Sequence, residues 1–97
     1  MTDADIKTEI KRTVLKHLPK DEYRVFLYGS RVTGKARRWS DYDVGILGDK
    51  PVPTMVKFEI EDELEESDLP VVVEVVDFYN VDEGFKELAL QQVERWN

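Results

Sequence analysis

The chain has 97 residues, 41% of them apolar, with a net charge of −7 and no cysteine. That length and apolar share fit one small globular domain over residues 1–97 rather than a disordered chain. The lack of cysteine excludes disulfides and thiolate zinc sites, and a lone His17 excludes a histidine metal cluster.

Residues 3–18 predict an amphipathic helix, because Ile6, Ile10, Val14 and Leu18 recur every four residues among charged ones. Pro19 ends it. Arg24 to Tyr28 is expected as a short strand closed by Gly29, and Ser30 to Gly34 as a turn or a single helical turn with Gly34 as its stop. Tyr42 to Leu47 reads as a second strand, closed by Gly48. After the Lys50-Pro51-Val52-Pro53 loop, Thr54 is expected to cap a helix to about Glu66 that buries Val56, Ile60 and Leu64. Val71 to Phe78 carries valine on both parities, which predicts a strand covered on both faces. Asn80-Val81-Asp82-Glu83 resembles a capping box, opening a last helix with Phe85, Leu88, Ala89 and Trp96 on its apolar side. The order helix, strand, turn, strand, helix, strand, helix predicts an α/β (α+β) fold, a small mixed sheet packed with helices.

Charge is unevenly spread. Residues 59–68 hold seven acids and no base, and the acids outside that run equal the 14 lysines and arginines in number. Arg31, Lys35, Arg37 and Arg38 crowd together just after Gly29-Ser30. The acidic balance argues against binding long nucleic acid, whereas the basic cluster suits a small polyanion. No apolar run is long enough to span a membrane, and the polar start Met1-Thr2-Asp3 is unlike a signal peptide, so a cytoplasmic protein with no membrane association is expected.

Three places carry chemistry. Gly29-Ser30 follows a strand, where glycine lets backbone N–H groups approach a phosphate and a following helical turn favours an anion. Asp41 and Asp43 alternate along a strand, so both carboxylates point to one face and repel unless a cation lies between them. Mg²⁺ suits that position, being held by one or two carboxylates plus substrate phosphates. Glu74 sits within the valine run, where an unpaired buried charge would be costly unless it faced the same cation. Asp77 has the opposite parity and is the fallback third acid. His17 reads as a surface or capping residue and Tyr42 as core. Trp39 is open to base stacking or to packing against the turn, and the acidic run reads mainly as a solvated helix face.

The run Gly-Ser-Arg-x-x-Gly-x-Ala-Arg-x-x-Ser-Asp-x-Asp, filled by Gly29 through Asp43, resembles the signature of the DNA polymerase β-like nucleotidyltransferase superfamily. Over nearly the whole chain the sequence is similar to its minimal nucleotidyltransferases, the antitoxin partners of HEPN proteins. The resemblance implies that Gly29 and Ser30 hold the terminal phosphates of an NTP, ATP being expected. It implies that Asp41 and Asp43 bind two Mg²⁺ ions, and that Glu74, where the family usually has aspartate, completes the catalytic and metal set. Arg31 and Arg37 would pair with phosphate oxygens or lock the turn. The implied reaction is transfer of AMP to a hydroxyl, a tyrosine of a HEPN-domain toxin, within a homo- or hetero-oligomer. So short a chain has little surface left to recognise an acceptor, so a second protein is expected to present it. A rival reading is a non-catalytic binding module that neutralises its partner by contact, with a vestigial nucleotide site.

Overall fold

Thr2 begins the first helix. Its hydroxyl accepts the Asp5 N–H at 3.1 Å while the Asp5 carboxylate accepts the Thr2 N–H at 3.0 Å, a reciprocal cap that satisfies two otherwise orphaned donors. The computed structural model describes residues 1–97, in the order α1 (Asp3–His17), β1 (Tyr23–Tyr28), α2 (Ser30–Thr33), β2 (Tyr42–Gly48), α3 (Thr54–Glu66), β3 (Val73–Asp77), α4 (Glu83–Ala89) and β4 (Glu94–Arg95). Ile6, Ile10 and Val14 of α1 are buried, as the four-residue spacing requires.

The four strands form one sheet in the order β3-β2-β1-β4. β1 pairs antiparallel with β2 and β4, whereas β2 and β3 are parallel, with α3 as the crossover between them. The sheet is therefore mixed, as expected. On one face Val25, Leu27, Val44, Ile46 and Val75 pack with Ile10, Val14, Ile60 and Leu64 from α1 and α3. The other face carries the aromatic cluster Phe26, Tyr28 and Phe78, with Phe85 of α4 set edge-on to Tyr28 at 6.1 Å. Gly45 makes room for that cluster, since a Cβ there would lie 2.3 Å from the Phe26 ring.

The two long helices are tied by charge as well as by packing. Lys16 at the end of α1 pairs with Glu63 at 2.6 Å, and His17 lies 3.0 Å from Glu63 and 3.5 Å from Glu59. Part of the acidic run thus complements the basic end of α1, a placement the helix dipole also favours. The rest of the run faces solvent apart from the buried Ile60 and Leu64 and half-buried Ser67. Tyr42 is buried, and its hydroxyl donates to Asp3.

Four expectations are corrected. Thr54 is the first residue of α3 rather than its cap: Pro53 precedes it and no side chain caps the helix, consistent with the fixed φ of proline starting a helix unaided. In the last helix Asp82, not Asn80, is the cap, accepting the Phe85 N–H at 3.2 Å. That helix stops at Ala89, so Trp96 follows a fourth strand instead. It is buried against the α1 side of the sheet through its N–H bond to the Val25 carbonyl at 2.9 Å. β3 is an edge strand: Val75 and Val76 pack on opposite faces, as the double parity predicted, but Glu74 just before them is exposed.

Asp77 lies on the helix face opposite Ile46, and its carboxylate accepts the Val52 N–H at 2.9 Å, the Tyr79 N–H at 3.0 Å and the Asn80 amide at 3.2 Å. It is committed to holding the loop into α3. Asp77→Ala leaves those donors unmatched and is expected to cost about 1–3 kcal/mol. Thermal unfolding should record this as a loss of at least roughly 4 °C in Tm; an unchanged Tm contradicts the assigned role.

Candidate active site

Where β1 ends, the chain turns through Gly29 with φ 77° into the four-residue helical turn α2. The left-handed region is one cost to a side chain here; a second is space. A Cβ on Gly29 would meet the Asp43 Oδ2 at 2.5 Å. The register explains the contact, because Tyr28, one residue before Gly29, is the cross-strand partner of Asp43. Glycine lets the turn and the carboxylate occupy adjacent volumes. The Gly29 carbonyl accepts the N–H groups of Val32 and Thr33 at 3.0 and 3.1 Å, and no side chain caps the turn.

Asp43 is also the parallel-strand partner of Glu74, and Asp41 precedes it by two residues just ahead of β2. The backbone thus brings all three predicted acids to one end of the sheet, beside Gly29 and Ser30. None of the three makes a salt bridge, whereas Glu94, Glu63, Glu22 and Glu61 each pair with a lysine. Burial pushes the Asp43 carboxyl above its ordinary range, and the charges of Glu74 and Asp41 push it further. Burial, with the charges of Asp43 and Glu74, raises the Tyr28 phenol to about 12, so it stays protonated at neutral pH.

This donor set suits a hard divalent cation: it is all oxygen, concentrated and uncompensated. No three acidic or histidine side chains are drawn together into a ready-made cage. That agrees with how Mg²⁺ is usually held, with one or two protein carboxylates and the remaining ligands from phosphate and water.

The basic residues divide. Arg31 donates through Nε and Nη2 to the Ser40 carbonyl at 3.3 and 2.7 Å, and through Nη2 to the Arg38 carbonyl at 3.3 Å. Its guanidinium stacks over Tyr42 at 4.3 Å. Of the two roles expected for it, locking the turn is the one displayed. Arg37 is exposed with its side chain free of hydrogen bonds and ion pairs, while its N–H is held by Ser40 Oγ at 2.8 Å. Arg38 stacks over the exposed Trp39 at 5.0 Å.

One feature was missed in the sequence. A pocket of about 330 Å³ opens beside Gly29, between Tyr28 and Thr33 on one side and Phe85, Leu88 and Ala89 on the other. The helical spacing of those α4 residues read as core packing, yet Phe85 and Leu88 remain 43% and 68% exposed. Nothing in the spacing alone separates a packed stripe from a pocket wall.

Residues 5–94 match the family described as polymerase beta, nucleotidyltransferase. The chain belongs to this nucleotidyltransferase family. It is 38% identical over 87 residues to the Haemophilus influenzae protein named a probable protein adenylyltransferase, MntA, covering 87% of this chain and 75% of that one. Among solved structures, the fold is similar to a toxin–antitoxin structure with AMP-PNP, at TM-score 0.72 and 21% identity over 99% of this chain and 73% of that one. It is similar to a chain of the tri-AMPylated Shewanella oneidensis HEPN toxin in complex with MNT antitoxin, at TM-score 0.72 and 18% identity over 99% and 72%. A spectinomycin adenyltransferase from Enterococcus faecialis with ATP and spectinomycin gives TM-score 0.61 at 18% identity, over 97% of this chain and 48% of that one.

Two predictions follow from the geometry of this nucleotidyltransferase. Because the folded pKa of Asp43 is raised, its contribution to stability is present at low pH and lost as pH rises through that pKa; ionised Asp43 destabilises the ligand-free fold. Asp43→Asn should therefore raise Tm at pH 7, with the gain shrinking as the pH falls below the ordinary carboxylate range. A variant less stable than wild type at pH 7 contradicts this. Gly29→Ala combines a left-handed backbone with a clash on Asp43, and should cost at least about 1 kcal/mol. Denaturant unfolding that matches wild type would show the turn to be more yielding than drawn.

Proposed function

We propose that this chain transfers AMP from ATP to a hydroxyl of a partner protein, a tyrosine of a HEPN toxin, and so acts as the antitoxin of a pair. The observation that carries this is the uncompensated set Asp41, Asp43 and Glu74 beside the Gly29-Ser30 turn. Its similarity to an MntA adenylyltransferase and to chains of MNT–HEPN complexes supports the choice of nucleotide and partner.

In this reading the uncapped turn at Gly29 and Ser30 binds the terminal phosphates through backbone N–H groups and the serine hydroxyl. Asp41 and Asp43, with Glu74, are the residues that would hold Mg²⁺. When bound, the metal neutralises the triphosphate and polarises its α-phosphate. Glu74 orients the acceptor hydroxyl and takes its proton. The acceptor oxygen forms a bond to the α-phosphorus as the bond to the bridging oxygen breaks, and pyrophosphate leaves. Arg31 keeps the loop before Asp41 in place by its bonds to Ser40 and Arg38. Arg37, whose exposed side chain has no hydrogen bond or ion pair, supplies a cation for phosphate oxygens. Glutamate in place of the family's aspartate extends the carboxylate by one methylene. Glu74 is exposed, so that length extends into solvent without displacing Asp43.

The test uses α-labelled ATP, Mg²⁺ and a HEPN toxin that this chain neutralises. Label is expected on the partner, lost on chelation of the metal. Asp43→Asn and Glu74→Gln should each lower the transfer rate on the order of 10²-fold or more. If Asp41→Ala with Asp43→Ala neutralises the toxin as well as wild type does, the protein works by contact and the transfer reading fails.

A further inference from the structure

β3 ends the sheet. Its hydrogen bonds to β2 run through even-numbered residues: the Val72 carbonyl accepts from Tyr42 at 3.0 Å and the Phe78 N–H donates to Ile46 at 2.8 Å. The alternation of a strand then turns the N–H and C=O groups of Val73 and Val75 outward. No loop, helix or side chain takes these groups up, since β3 pairs only with β2 and no other hydrogen bond reaches either residue. Natural sheets usually cover or blunt such an edge, because it is a template for another strand.

Beside this edge lies a groove of about 530 Å³ between β3 and α3. Its floor is apolar, from Leu64, Leu69, Val71, Val73 and Val75. Its rim is acidic, from Glu61, Glu65, Asp41 and Glu74, and it has no basic residue. Of these acids only Glu61 has an ion-pair partner, Lys57 at 3.1 Å. Val72, at the start of the edge, is 64% exposed.

We propose that this edge and groove take an extended basic segment of a partner protein as an added fifth strand. Outward backbone groups give the pairing, the valine and leucine floor takes alternate side chains, and the rim pairs with lysine or arginine. Charge decides between occupants. A second copy of this chain would bring its own acidic rim and a net charge of −7 against the first. Nucleic acid is repelled for the same reason. Asp41 and Glu74 also line the groove, so a segment docked there runs past the transfer site. This last consequence rests on the function proposed above and makes the acceptor-bearing region of the partner basic and extended.

The experiment titrates the full chain into a fluorescein-labelled peptide of alternating lysine and valine, with a glutamate–valine peptide of equal length as control. Saturable binding of the lysine peptide alone is expected, with slowed amide exchange at Val73 and Val75. Glu65→Lys changes an exposed, unpartnered helix residue and should weaken binding at least about tenfold. Val73→Pro removes an outward donor without touching the β2 ladder and should do the same, with circular dichroism confirming the fold. Affinity unchanged in Glu65→Lys, equal binding of both peptides, or no amide protection at Val73 and Val75 overturns the proposal. So does a dimer in sedimentation that Val73→Pro dissociates, since a second copy then owns the edge. Peptide binding without any Mg²⁺·ATP binding supports the docking edge and overturns the transfer function instead.

Discussion

The contact between Gly29 and the Asp43 carboxylate fixes the rest of the site. It places the end of β1, the start of α2 and the start of β2 within one side chain of each other, and it tolerates no Cβ. From that contact, register alone brings Glu74 alongside, because Asp43 and Glu74 are direct partners on neighbouring strands about 4.8 Å apart. Asp43 and Glu74 then lie side by side, Asp41 is two residues ahead of Asp43, and none of the three has a salt-bridge partner. Burial raises the Asp43 carboxyl above its ordinary value, and the charges of Glu74 and Asp41 add to the rise. A fold that keeps such an arrangement gives up some stability to hold unpaired carboxylates together, a pattern typical of functional sites.

The two faces of the sheet divide the labour. α1 and α3 cover one face with aliphatic side chains, and this side supplies most of the core. The other face is covered by four aromatics and the short α4, leaving the carboxylate end open. Asp77 and Glu74 show the division within a single strand. Three residues apart and of opposite parity, one binds the loop into α3 and the other faces Asp43.

Much of this was legible in the sequence. Apolar spacing found α1 and α3 and the valine run found β3; strand parity allowed only one of Glu74 and Asp77 at the site, and the valine run favoured Glu74. The chain order of elements was enough to predict a mixed sheet. What escaped depends on contacts distant in sequence. β4 has two residues, and its pairing with Phe26 and Leu27 comes from the far end of the chain, so the periodicity of Trp96 with α4 was misleading. Arg31 matched a phosphate-binding motif, but only the folded loop reveals that its donors go to Ser40 and Arg38. Glu74 was expected to be buried because valines flank it; an edge strand exposes a side chain that a central strand would bury.

The central claim is that Asp41, Asp43 and Glu74 form one electrostatic unit that a cation and a nucleotide complete. Titration calorimetry of Mg²⁺ with a non-hydrolysable ATP analogue, at mildly acidic pH in buffers of different ionisation enthalpy, tests it most directly. Because Asp43 holds its proton above the ordinary carboxylate range, binding should require Mg²⁺ and release protons, and the release should vanish in Asp43→Asn. Binding that is indifferent to Mg²⁺, or that releases the same protons without Asp43, would contradict the account.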